Sequence, residues 1–348
     1  MNQYNPEEIY FSIESLFKYC RAYNYVIGGR GTGKTYGSLK AMIEGGYKFV
    51  FMRRTQTQLE QVMSQKEIKI DDETSIRADL SPFKKLEIDM GWTCKIERIT
   101  RDSYAIIMNG KHVGYGVALN TIANIRGFDA TDCQYLIYDE FIPEHHARPI
   151  KDEGDAFLNA YDTINRNREL EGKEPLYAFL LANSNDIEAP LLHDLDISVQ
   201  IEKMINRGKS FMDFSDRGYT VSLLKNKKFE EARKNTVLYK FTRGLRYSKM
   251  AFENKFAYDD FSNIRSYNIK QFVPYLSIGE YYIYRSKGEG WIYVSHCRAK
   301  VKESYPYTEY GFQQFKRNHG REFYQEYMDG TMKFETYRCK KLLTNIVA

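Results

Sequence analysis

The stretch Asn24-Tyr-Val-Ile-Gly-Gly-Arg-Gly-Thr-Gly-Lys-Thr35 constrains this chain more than any other. An apolar run, Tyr25-Val26-Ile27, leads into Gly28-x-x-x-x-Gly33-Lys34-Thr35, the spacing of a phosphate-binding loop. Gly28, Gly29, Gly31 and Gly33 let the backbone turn tightly and aim its N–H groups at phosphate oxygens. Arg30 and Thr32 complete the loop. Lys34 is spaced to reach the β- and γ-phosphates, and the Thr35 hydroxyl to ligate Mg²⁺. The helix-forming run from Tyr36 to Glu44 then points its positive end at the anion. A Gly-rich turn beside a surface lysine is the bland alternative. The strand-like run before the loop and the helix-like run after it favour nucleotide binding.

A second stretch turns binding into chemistry. Cys133-Gln-Tyr-Leu-Ile-Tyr-Asp139-Glu140-Phe reads as an apolar strand ending in two adjacent acids, 105 residues after Lys34. Paired with a phosphate loop, Asp139 is expected to hold the Mg²⁺ hydration shell and Glu140 to polarise the attacking water. Leu176 to Ala182 reads as a further buried strand. Asn183, Ser184 and Asn185 stand at its carboxyl end, where a polar side chain can sense a γ-phosphate or orient water. No N-K-x-D guanine signature occurs: Asn226-Lys227-Lys228-Phe229 lacks the acid, so ATP is favoured over GTP.

The intervening segments supply the rest of the frame. Residues 7–23 carry Ile9, Ile13, Leu16 and Phe17 at helical spacing. Gly45-Gly46 ends the helix after the loop, and Lys48 to Met52 reads as a second buried strand closed by Arg53-Arg54. That arginine pair is either a solvated strand end or faces the phosphate crevice. Residues 56–104 are polar and partly helical, with Asp71 to Ile76 read as a loop. Tyr104–Met108 and Val113–Leu119 alternate around Asn109-Gly110, a hairpin signal. His145 and His146 read as exposed loop residues. Residues 155–169 read as a helix with Arg166 and Arg168 near its end, where they either complement the helix dipole or supply an arginine finger to a neighbouring subunit. Strands alternating with helices imply an α/β fold, an open and mostly parallel sheet with the nucleotide at the strands' carboxyl ends.

Composition sets the outer limits. Of 348 residues, 43% are apolar and 28% charged, enough for a sizeable core and, by length, two domains. Tyrosine, at 29 residues, suits surfaces that need apolar contact and a hydroxyl together. Five scattered cysteines without C-x-x-C argue for a reducing compartment and against a disulfide framework or zinc ribbon. No transmembrane run or signal-peptide pattern is evident. The net charge of +5 hides a split: residues 1–200 hold 23 Lys/Arg and 30 Asp/Glu, whereas residues 201–348 hold 28 and 16. A basic half joined to a nucleotide-binding half suggests a polyanionic partner, most simply nucleic acid.

Together these residues resemble the DNA-packaging motor ATPases of small tailed bacteriophages with protein-primed genomes, compact relatives of the large terminase subunit. The resemblance rests on Val26–Thr35, Phe51-Met-Arg-Arg54, Tyr138-Asp-Glu-Phe141, Asp162-Thr-Ile-Asn-Arg-Asn-Arg-Glu169 and Leu181-Ala-Asn183. It implies a P-loop NTPase domain of the additional-strand, RecA/terminase-like type over residues 1–227 and a helical linker over 228–256. Residues 257–348 would then form a small ribonuclease H-like α+β domain. It also implies a homopentameric ring at the portal of an empty capsid, in the host cytoplasm, driving double-stranded DNA inside with ATP and Mg²⁺. In some members a structural packaging RNA takes part. Arg166 becomes the trans-acting finger, and Arg126, thirteen positions before Asp139, a second trans-acting residue. In the last domain residues 281–284 and 291–295 read as a hairpin. Its strand Tyr281-Tyr-Ile-Tyr-Arg285, read as the first, carries no acid to hold the metal pair a nuclease needs, which points to a vestigial, nucleic-acid-binding domain. The rival readings are a small-molecule kinase with Arg166 and Arg168 in a lid, and a nucleic-acid-binding protein with an idle nucleotide site.

Overall fold

The computed structural model describes residues 10–69, 75–78, 81–125, 128–144, 147–225, 227–243, 245, 256, 259–288 and 290–347. The chain divides into two compact units, Met1–Tyr258 and Asp259–Ala348.

The first unit is built on one mixed sheet. Its strands are β1 (Tyr23–Gly28), β2 (Phe49–Arg53), β5 (Cys94–Thr100), β6 (Ser103–Met108), β7 (Lys111–Ala118), β8 (Tyr135–Asp139), β9 (Tyr177–Asn183), β10 (Phe211–Phe214) and β11 (Tyr219–Leu223). A separate hairpin pairs β3 (Lys66–Lys69) with β4 (Ser75–Ala78). The sheet order is β10-β11-β1-β9-β8-β2-β7-β6-β5. From β11 to β7 the six neighbours run parallel, and antiparallel strands extend both edges. Parallel strands covered on both faces must be apolar along their whole length. Phe49-Val-Phe-Met-Arg53 is accordingly buried at every position, and Leu136 to Asp139 likewise. Only the carboxyl ends are released from that demand. Gly28 lies opposite Asn183, Leu181 opposite Asp139, and Met52 opposite Tyr138, so the polar ends of β1, β9, β8 and β2 are flush along one rim.

Local chemistry sets the elements around this sheet. The β6–β7 hairpin turns at Asn109 and Gly110, both at positive φ (50° and 74°), the conformation an Asn-Gly pair adopts at least cost. The helix Lys34–Glu44 follows the loop and stops at Gly45, as the glycine pair requires. Residues 56–104 resolve into the helix Gln56–Met63 with a Thr55/Gln58 capping box, the β3–β4 hairpin, the helix Pro82–Met90 and β5. The loop expected over Asp71 to Ile76 is corrected at its end, where Ser75 and Ile76 lie on β4; residues 71–74 fall outside the described residues.

Three other sequence expectations are corrected. The amphipathic helix expected over 7–23 is confined, among the described residues, to Glu14–Phe17. Its Ile13 and Leu16 do pack into the core, but Cys20 takes a left-handed backbone (φ 49°) and the chain then enters β1. The helix expected over 155–169 is Glu153–Asn165, because Arg166 leaves helical geometry with φ 49° and ψ −139°. Tyr281–Ser286 pairs antiparallel with Ile292–Ser295 as expected, but it is the second strand of its sheet.

The second unit holds five strands, β12 (Phe272–Ile278), β13 (Tyr281–Ser286), β14 (Ile292–Ser295), β15 (Glu303–Tyr305) and β16 (Met332–Phe334). Their order is β15-β12-β13-β14-β16, with β12-β13-β14 antiparallel and each edge strand parallel to its neighbour. The helix Glu309–Met328, capped by Thr308, buries Phe315 and Phe323, two turns apart, with Ile283, Val294 and Leu343. Burying each such side chain stabilises the fold by about 1.5–3 kcal/mol. The true first strand, β12, also lacks an acid.

Candidate nucleotide site and relatives

The loop between β1 and the helix Lys34–Glu44 has the backbone its glycines allow. Gly31 and Gly33 sit at φ 74° and 84°, where a side chain would strain the turn. A Cβ on Gly33 would also lie 2.8 Å from Tyr10. The Lys34 ammonium is buried and folded back into the loop. It donates to the carbonyls of Gly28 (3.1 Å) and Gly29 (2.8 Å), to Thr32 Oγ1 (3.3 Å) and to Asn183 Oδ1 (3.1 Å). Burial lowers its pKa to about 8, against the pull of Asp139 and Glu140. The site thus holds a desolvated cation at the point where phosphate charge would arrive.

The acids come from β8, beside β9. Thr35 Oγ1 donates to Asp139 Oδ1 at 2.8 Å, which puts two hard oxygen donors together. Glu140 takes a left-handed backbone (φ 55°), unusual for a residue with a Cβ. That turn sends Phe141 back into the core and leaves the Glu140 side chain half exposed in the cavity. Arg53, from the end of β2, spans both acids: Nη1 to Asp139 Oδ2 at 2.6 Å and Nη2 to Glu140 Oε2 at 2.7 Å. Arg54 points the other way into a buried bidentate pair with Glu153 at 2.8 Å for both bonds, and it also donates to the Arg148 carbonyl. The two readings of the arginine pair therefore divide. Arg53 belongs to the site, Arg54 is structural, and neither is a solvated strand end.

These groups line one cavity of about 700 Å³, which contains Arg30, Thr32, Lys34, Thr35, Asp139, Glu140 and Asn183. Two segments from elsewhere in the first unit close in on the loop. Phe11 N–H donates to the Thr32 carbonyl at 2.9 Å. From the helix Lys227–Lys234, Arg233 Nη1 donates to the Arg30 carbonyl at 2.6 Å and stacks on Phe229. Arg30 itself pairs with Glu144.

The other expected site residues lie apart. Arg168 is buried, its guanidinium donating to the carbonyls of Thr131, Cys133 and Glu174, so it pins the approaches to β8 and β9. Arg166 is exposed, donates to the Phe128 carbonyl at 2.8 Å, and is not part of the cavity wall. Gly28 and Gly29 contribute carbonyls to Lys34 rather than cavity surface. Arg126, His145 and His146 fall outside the described residues. The sequence left Arg53 between the phosphate crevice and a solvated strand end. Its signal was present, a charged residue closing a buried strand, but only the sheet order shows that β2 ends beside β8.

Comparison with known proteins places the chain in a lineage. Residues 96–344 match the family described as Podovirus DNA encapsidation protein (Gp16), a match that begins beyond the phosphate loop. The DNA packaging protein of Bacillus phage B103 is 26% identical over 262 residues, covering 73% of this chain and 71% of that protein. The DNA packaging protein of Bacillus phage phi29 is 21% identical over 258 residues, covering 73% and 68%. Among solved structures, the bacteriophage Phi-29 viral genome packaging motor assembly superimposes with a TM-score of 0.63 at 18% identity, over 98% of this chain and all of that one. The Phi-28 gp11 DNA packaging motor gives 0.51 at 17% identity, over 98% and 97%. The α/β fold with its large mixed sheet is therefore shared, and with more than half of its length matched to one family, this chain belongs to the podovirus DNA encapsidation (Gp16) proteins and is a DNA-packaging protein of phi29-like phages.

Proposed function

We propose that the protein is an ATPase that drives double-stranded DNA through the portal into a preformed capsid. The observation that carries this reading is the meeting of Lys34, Thr35, Asp139, Glu140 and Asn183 at one rim of the sheet, in a protein of a DNA-packaging family. The position of β9 between β1 and β8 supports the additional-strand P-loop class.

The donor set fits Mg²⁺. That ion prefers hard oxygens and commonly takes one or two protein ligands plus substrate phosphates. Thr35 Oγ1 and Asp139, 2.8 Å apart, supply such a pair. Bound there, Mg²⁺ would offset charge on the phosphate oxygens. The chain's own groups do the rest. The N–H groups of residues 29–35 and the Lys34 ammonium bind the phosphates. Glu140 accepts a proton from the attacking water, and Asn183 orients the end of the site it shares with Lys34. The Arg53 Nη2 bond occupies Glu140 Oε2, so releasing that bond frees the oxygen for the attacking water.

Among the described residues Arg30 is the one arginine that lines the cavity, while Arg53 is held by the two acids and Arg233 by the Arg30 carbonyl. Exposed Arg166 therefore fits a role on a neighbouring subunit's γ-phosphate, with Arg126 alongside it in a pentameric ring. The second unit reads as a ribonuclease H-like domain kept for binding nucleic acid, packaging RNA included, because neither β12 nor β13 carries an acid. The working location is the host cytoplasm, docked on the procapsid. Mixing Glu140→Gln and Arg166→Ala subunits, each inactive alone, should recover part of the DNA-stimulated ATPase. No recovery at any ratio rules out the shared site.

A further inference from the structure

The cavity at the phosphate loop extends beyond the groups that hydrolysis needs. Its other end is made by Tyr36, the residue after Thr35, and by Lys85 and Asp89 on the helix Pro82–Met90. The Tyr36 hydroxyl and the Lys85 ammonium both face Asp89, the ammonium at 2.8 Å. The Lys85 ammonium lies 5.5 Å from the centre of the Tyr36 ring. Tyr36 is half-buried against the core, so its ring is held in place, while Lys85, at 65% exposure, can swing aside. Asp89 has acceptor sites left, since a carboxylate offers about four and two are engaged. A triphosphate cradled along residues 29–35 leaves its nucleoside at the end past Thr35, against Tyr36. At about 700 Å³ the cavity is in the size range of sites for whole small molecules.

We propose that Tyr36, Lys85 and Asp89 form the nucleobase subsite, with the base stacked on the Tyr36 ring and its exocyclic amine donating to Asp89. This rests on the nucleotide-binding reading above and adds the basis of selection. Ionised carboxylates only accept hydrogen bonds. A 6-amino purine presents a donor to Asp89, whereas a 6-oxo purine presents an acceptor and leaves two acceptors face to face. Selection for ATP then comes from a repelled oxygen, in a chain with no guanine motif.

Steady-state hydrolysis of ATP and of inosine triphosphate, which carries oxygen in place of the amine, tests this on the full chain with DNA. The native protein should show a KM for inosine triphosphate about tenfold above that for ATP. Asp89→Asn, which can donate as well as accept, should bring the two within about twofold or invert them. Tyr36→Ala should raise both KM values about tenfold through lost stacking while kcat changes little, and Tyr36→Phe should restore them. An unchanged KM ratio in Asp89→Asn, or no discrimination by the native protein, overturns the subsite. If the native protein hydrolyses neither nucleotide, the nucleotide reading itself fails, an outcome distinct from loss of selection.

Discussion

The two units each carry a charged cluster beside a sheet, and the clusters differ in what their charges face. In the first unit a lysine with its pKa lowered to about 8, two adjacent acids and an arginine are gathered around a cavity, with Glu140 half exposed. In the second, the acids are matched by partners at a partly exposed surface. Glu303 on β15 accepts from His319 (2.9 Å) and Tyr305 (2.9 Å), and Glu322 is paired with Arg285, which also lies over the Tyr275 ring at 4.4 Å. The first cluster is paired too, through Arg53, but its charges border the cavity and can act on a ligand there. The same contrast appears over two residues of sequence: Arg168 is consumed by three carbonyls, and Arg166 remains on the surface.

The contrast can be broken most severely at Glu140. Glu140→Gln should lower kcat for ATP by about 10²–10⁴-fold and leave nucleotide binding intact, as removal of a general base does. Arg285→Ala in the second unit should leave kcat where it was. A comparable loss in both would dissolve the distinction.

Titration of Lys34 sharpens it. Its pKa of about 8 lies below the ordinary value of 10.5, so the folded protein sheds this proton first. Below pH 8 the lysine is charged in both states and its burial opposes folding. As pH rises from about 8 to 10.5 only the unfolded chain retains the proton, and this group's contribution to stability becomes more favourable. Affinity should move the other way, with ATP binding weakening about tenfold per pH unit above 8, because the charge that meets phosphate is lost. Calorimetric titration of wild type and Lys34→Met across pH 7–9.5 tests this, since the slope should vanish in the variant.

Stability gives the smaller effects. Glu153→Gln leaves Arg54 buried without its counter-ion and should cost about 3–5 kcal/mol in urea denaturation. The Arg285–Glu322 pair is 41% and 34% exposed, so Arg285→Ala should cost under about 1 kcal/mol. Equal costs would mean that burial does not separate these pairs.

Much of the site's outline is legible in the chain, for identifiable reasons. Glycine spacing, a lysine–threonine pair and an apolar run ending in two acids are local patterns, because each element must satisfy its own backbone and bury its own face. The Asn109-Gly110 hairpin is legible for the same reason. What failed was local geometry decided from outside. The helix before Arg166 stops early and lets that side chain reach the Phe128 carbonyl, and β12 precedes the hairpin taken to open its sheet.

The sequence by itself determined that a phosphate loop follows a buried strand, that an acidic pair ends another, and that the chain belongs to an α/β class. Those features depend on neighbours within a dozen residues. Only the tertiary structure decided which strand ends lie side by side. The order β1-β9-β8-β2 brings Asn183 to Lys34, and Arg53 to Asp139 and Glu140, across 86 to 149 residues of chain. The helix Pro82–Met90 likewise sets Asp89 beside Tyr36. Periodicity fixes which face of a strand is apolar, but strand order follows from how the helices cover both faces of the sheet, and that is settled by the whole core at once.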